Sequence, residues 1–252
     1  MKMIIRISLI FIFLLGHVQS KELGQTEITT KDGIEVYQKE KYYLLKNEVK
    51  IISDNLKLNA DVVKAYFDKD LYDIRLINSR GNVEIESKEG LQVMGEIVDY
   101  NVKNEDIYVE GKNAFLKNNQ FTMISNKSIK LDNALGEFKI IGSNSELITE
   151  ETQIKGESII GNYSNINGEN IIKKLIVTDK IISNIKTSKM DLYAIKAEYD
   201  KENNLIKLFE KVKVIREDET ITGDYAEINT LDESYKIESK DSERVKVILN
   251  NE

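Results

Sequence analysis

The 252-residue chain has no proline, no cysteine and no tryptophan, and its single histidine is His17. Proline deletes a backbone donor and is tolerated only at edges and bulges of a sheet, so its absence suits a chain held almost throughout in hydrogen-bonded ladders. Without cysteine there is no disulfide, no thiolate nucleophile and no cysteine-based metal site. His17 lies in the apolar N-terminal segment, so the remainder has no imidazole for acid–base work or metal ligation. Nucleophile constellations then reduce to Ser–Lys or carboxylate pairs. Ser125-Asn126-Lys127-Ser128 matches S-x-x-K only loosely and lacks its helix. No carboxylate pair stands out among the acids, which recur at turns and strand exteriors. These absences argue against an enzyme and leave no cofactor or metal to expect.

Positive charge is also scarce. The chain carries −7 overall, and −9 once Lys2 and Arg6 of the first twenty residues are set aside. Binding to nucleic acid rests on neutralising phosphates, so that class of partner is excluded. With 41% hydrophobic and 31% charged residues the composition is that of a folded globular chain.

Residues 1–20, MKMIIRISLIFIFLLGHVQS, begin with Lys2 and Arg6, continue into an apolar run over 7–15 and end in Val18-Gln19-Ser20. That run is well short of the roughly 20 residues a helix needs to span a bilayer. It reads as a secretory signal cleaved after Ser20, with an uncleaved anchor as the alternative. Residues 21–31 are polar and read as a flexible lead-in, and 32–252 as one β domain.

Alternation is abundant. Residues 206–228 hold three runs, Ile206-x-Leu208, Val212-x-Val214 and Ile221-x-Gly223, the period of half-buried strands. Glu210-Lys211 and the segment 216–219 between the runs are short enough for tight reversals. Six copies of this three-run unit recur, and the third runs begin at Leu58, Val93, Met123, Ile154, Leu192 and Ile221. The fifth copy is the least regular, with a run at Ile181-Ile182, and a truncated seventh follows at Tyr235 and Val245. Spacings that vary between 29 and 38 residues disfavour a strict solenoid and fit strands joined by turns of variable length. Each third run continues as a small residue, two spacers and an apolar residue: Ala60 to Val63, Gly95 to Val98, Gly156 to Ile159, Ala194 to Ala197 and Gly223 to Ala226. An acid often stands beside the small residue, as at Asp61, Glu96, Glu157 and Asp224. A small residue with a change of parity predicts a bend that carries the chain from one sheet to a facing one. Twenty runs shared between two sheets predict about ten strands in each, a stack about 45 to 50 Å tall.

Asn47-Glu48-Val49-Lys50-Ile51 with 58–63, Gly81-Asn82-Val83-Glu84-Ile85 with 93–100, and 210–214 with 221–226 resemble the repeat of the OstA-like family. That family includes the lipopolysaccharide export proteins LptA, LptC and the N-terminal domain of LptD. The resemblance spans roughly 34 to 249, with 138–188 supported by spacing alone. A signal and a mature chain built wholly of such units are similar to LptA. The resemblance implies an all-β, open β-jelly roll of two facing antiparallel sheets in the periplasm, sheltering the acyl chains of lipopolysaccharide between the two membranes. An acyl chain of about a dozen carbons costs on the order of 10 kcal/mol in water at about 0.8 kcal/mol per CH₂, so an apolar groove suffices without chemistry.

The candidate lipid-binding residues are Val49, Ile51, Leu58, Val83, Ile85, Val93, Val212, Val214 and Ile221. A closed core between two sheets is their bland alternative. Alternating runs from Gly33 to Tyr37 and from Arg244 to Leu249 would leave strand edges that pair with other export components or with further copies. Two other readings remain open at this point: a filament-forming β-scaffold without a lipid, and a carbohydrate-active enzyme on a parallel β-helix.

Overall fold

A computed structural model describes residues 26–69, 73–167, 169–240 and 244–249. The expected signal, 1–20, lies outside the described residues. Those described form eighteen strands and no helix. The first six are β1 (Glu27–Thr29), β2 (Ile34–Tyr37), β3 (Tyr42–Ile52), β4 (Leu56–Phe67), β5 (Ile74–Ser87) and β6 (Gln92–Asn101). Then follow β7 (Asp106–Glu110), β8 (Ala114–Lys117), β9 (Thr122–Ser125), β10 (Ser128–Asp132), β11 (Glu137–Ile148) and β12 (Thr152–Ile166). The last six are β13 (Glu169–Thr187), β14 (Asp191–Asp200), β15 (Leu205–Arg216), β16 (Glu219–Asn229), β17 (Tyr235–Glu238) and β18 (Lys246–Leu249).

Every ladder among these strands is antiparallel, which excludes the parallel β-helix. The long strands are bent, and their two arms belong to two facing sheets. One sheet runs β2-β3-β4-β5-β6-β7-β10 and on through β11 to β17. Its partner runs β1-β3-β4-β5-β6-β8-β9 and on through β11 to β16 and β18. The pairs β1/β2, β7/β8, β9/β10 and β17/β18 each act as one bent strand interrupted at the bend. The result is an open β-jelly roll of fourteen V-shaped rungs, about 60 Å tall at roughly 4.8 Å per rung.

Several sequence expectations are corrected. There are fourteen rungs, not about ten, because the apolar stretch after each small residue is a full arm in the other sheet: Val63 and Ala65 belong to β4, and Val98 and Tyr100 to β6. Glu210-Lys211 is not a reversal. It is the bend of β15, where the pairing register shifts between Phe209 and Val212. Likewise Ile181-Ile182 is the bend of β13, where Asp179 Oδ1 accepts from the backbone N–H groups of both isoleucines at 2.7 and 3.1 Å. The polar segment 21–31 contains β1, which pairs with Lys50–Ile52; a three-residue strand whose one apolar side chain is Ile28 shows no alternation.

The bends explain the recurring motif. Asn47 and Glu48, Gly81 and Asn82, and Glu210 and Lys211 all have left-handed φ, between 46° and 74°. Two consecutive left-handed residues turn the strand from one sheet into the other. For a non-glycine residue this costs roughly 1 kcal/mol, which the ladders on both sides offset. The acids beside the small residues bond the bend of the following rung. Asp61 Oδ2 accepts from Asn82 Nδ2 at 3.0 Å, Glu157 pairs with Lys180 at 2.5 Å, and Asp224 Oδ2 accepts from Lys240 N at 2.9 Å.

Candidate functional site

All nine predicted lining residues lie on the inner face of one sheet, in two groups. Ile51, Leu58, Ile85 and Val93 form a cross-strand row over β3 to β6, and Val214 and Ile221 continue it on β15 and β16. Six residues that the sequence reading missed complete the row: Leu116, Met123, Leu147, Ile154, Ile185 and Leu192, each directly opposite the next. They belong to the irregular middle units, yet they obey the same parity, and that was the signal available to find them. Ile28 and Val247 extend the row to both ends. Val49, Val83 and Val212 lie one step nearer the bend, opposite Ala60, Gly95 and Gly223.

That inner step is narrow. A Cβ on Gly95, Gly156 or Gly223 would lie 2.6 to 2.7 Å from a methyl of Val109, Val177 or Ile237 on the facing sheet. Small residues are needed there because the two sheets converge. In the middle rungs the step holds Ser125, Ser145 and Ser183, whose hydroxyls donate to the backbone carbonyls of Ile141, Gly142 and Ala194. On the facing sheet a matching row runs from Leu45 to Ile237, apolar throughout except for Ser79. The Ser79 hydroxyl is buried, and among the described residues it is the one sealed side-chain polar atom without a partner.

Every passage of the described backbone between the sheets occurs along the bends. At the opposite margin the hairpin turns connect strands of the same sheet, so only side chains close that mouth. Arg216 Nη2 donates to Glu233 Oε2 at 3.0 Å, and Lys189 pairs with the same carboxylate. The Tyr235 hydroxyl donates to Glu219 Oε2 at 2.7 Å, and Asn170 N to Gln120 Oε1 at 3.0 Å. The Lys189 contact, with Arg216 adding, holds the Glu233 carboxyl below the ordinary glutamate range.

Eight of the nine predicted residues are between 0 and 4% exposed, and Ile51 is half-buried against the same core. The facing rows therefore interdigitate, and an acyl chain enters only if the arms part. Half-buried Leu56, Leu91 and Met190 mark the mouth. Among the described residues no group of three or more His, Cys, Asp or Glu is placed to hold a metal ion.

No protein-family model matches the chain, and no curated protein matches it. Among solved structures, the chain is similar to LptH, the LptA-homologous periplasmic component of the lipopolysaccharide transport device of Pseudomonas aeruginosa. The TM-score is 0.43 and the identity 15%, over 52% of this chain and 95% of that one.

Proposed function

We propose that the chain is a periplasmic carrier that shelters the acyl chains of lipopolysaccharide between the two sheets of its jelly roll. The observation that carries this reading is the pair of apolar rows running unbroken, but for Ser79, through fourteen rungs whose described backbone joins the sheets along one margin only. A closed sandwich gains nothing from confining every crossing to one side. A groove that opens sideways to a long amphiphile requires it, because the head group must remain in water while the chains leave it. The signal expected over 1–20 agrees with a periplasmic site of action.

The ends of the stack support assembly with other export components or with further copies. Ile34 and Val36 at one end and Val247 and Leu249 at the other are exposed on strands that have one free edge, the arrangement that β-augmentation uses.

The tight burial of the rows favours a second reading, a rigid scaffold whose core never opens. A photo-reactive residue at Val83 or Val212 separates the two. In cells making lipopolysaccharide, the carrier reading expects crosslinks to the lipid from both positions and co-purified lipid in the mass spectrum. Silence at every inward position would leave the scaffold.

A further inference from the structure

Tyrosine recurs along the mouth side of the facing sheet. Tyr100 on β6, Tyr199 on β14 and Tyr235 on β17 occupy one inner cross-strand row. On β12 the row position is Gly161, because a Cβ there would lie 2.5 Å from Phe138 Cζ, and Tyr163 stands two residues nearer the turn. All four rings pack into or against the core. Tyr163 donates its hydroxyl to Asn133 Oδ1, and Tyr235 donates to Glu219.

Tyr100 and Tyr199 differ from these two. Neither hydroxyl bonds a described group, and neither is a sealed, partnerless atom as Ser79 Oγ is, so both reach water at the mouth. Each therefore has an apolar ring in the groove and a free donor at its lip, the placement tyrosine takes where an apolar phase meets water. Burial raises the pKa of both phenols, and the carboxylates of Glu105 and Glu89 beside Tyr100, and of Asp200 and Glu151 beside Tyr199, raise it further. Both stay neutral donors at physiological pH. The same carboxylates repel an anion brought to either hydroxyl.

We propose that Tyr100 and Tyr199 are head-group stations of the groove, donating their hydroxyls to the carbonyl oxygen of the ester or amide that joins an acyl chain to its head. This rests on the carrier reading above and names the part of the ligand read at the mouth: a neutral linkage carbonyl, not a carboxylate. Six rungs separate the two tyrosines, roughly 29 Å, too far for one linkage to span. They act as successive stations along the path.

The test uses the full chain and three probes of equal chain length: monolauroylglycerol with its ester, dodecylglycerol with an ether, and laurate. Wild-type protein is expected to bind the ester about three- to tenfold tighter than the ether, the value of one hydrogen bond, and tighter than laurate at neutral pH. Combining Tyr100→Phe with Tyr199→Phe should bring the ester down to the ether's affinity and leave the ether unchanged. The carbonyl stretch of ¹³C-labelled ester should shift on binding wild type and lose that shift in the double variant. Each single variant gives a second reading should the double variant fold poorly. Ester affinity equal in wild type and double variant, or laurate bound as tightly as the ester, overturns the stations while the carrier survives. A wild type that binds neither ester nor ether overturns both.

Discussion

The two long margins of the V are built in opposite ways. Along the bends, the described backbone passes between the sheets from rung to rung, glycine, alanine and serine bring the sheets together, and acids such as Asp61 and Asp224 bond the next bend. At the mouth the sheets meet only through large side chains and a few polar contacts, with Tyr163, Tyr199 and Met190 half-buried. One margin is a hinge fixed by sterics and ladders; the other is a seam held by contacts that water and salt compete with. On the carrier reading, that difference is what would let an apolar interior of this length open as a groove.

The comparison breaks most severely if the rows joining the margins are cut. Leu147→Ala removes a fully buried side chain from the middle of the row and should cost about 2 to 5 kcal/mol in chemical denaturation. Met190→Ala at the mouth should cost clearly less. Next comes the hinge. Gly156→Val drives a methyl into Val177 and toward the Thr178 carbonyl, an overpacking expected to cost about 1 to 3 kcal/mol. A valine tolerated there without loss of stability would show that the sheets do not converge as described.

A smaller effect of opposite sign is expected at Ser79. Replacing a buried hydroxyl that has no partner by alanine should raise stability by up to about 1 kcal/mol, read as a higher denaturation midpoint. Smallest of all is the seam. The Glu233 carboxyl titrates below its ordinary range, so its contribution is complete above the usual glutamate pKa and fades as pH falls through the lowered value. Protection of the β17 amides against hydrogen exchange, corrected for the intrinsic pH dependence of exchange, should fall on acidification and in Glu233→Gln at neutral pH, with protection of the β15 and β16 bend amides unaffected. An equal fall at the bends would mean that both margins loosen together.

The hinge was partly legible in the sequence and the mouth was not. The small residue of each third run, such as Gly223 two residues after Ile221, marked a bend, whereas Glu210-Lys211 was read as a reversal and is itself the bend of β15. Parity gave the inner face as well, so all nine candidate residues point inward, eight of them into the core and Ile51 against it. The passage into the facing sheet at Val63 and Val98 was predicted, but those arms went uncounted as strands because a change of parity hides a second alternating run behind the first. Tyr100 and Tyr199 were harder to pick out for another reason. Each stands two residues past the apolar member of the bend motif, Val98 and Ala197, but they join one row only through a register that six ladders propagate.

The account depends on the arms parting at the mouth while the hinge holds, and a chain without cysteine lets spin labels report this directly. Glu89 and Glu105 are exposed turn residues that flank Tyr100 from opposite arms, whereas Lys57 and Lys117 lie in one outer row of a single sheet. Distances between labels on each pair, measured by pulsed electron resonance with and without lipopolysaccharide, should lengthen for the 89/105 pair and stay constant for the 57/117 pair. A mouth distance that lipid leaves unchanged, at concentrations where lipid is bound, would contradict the account.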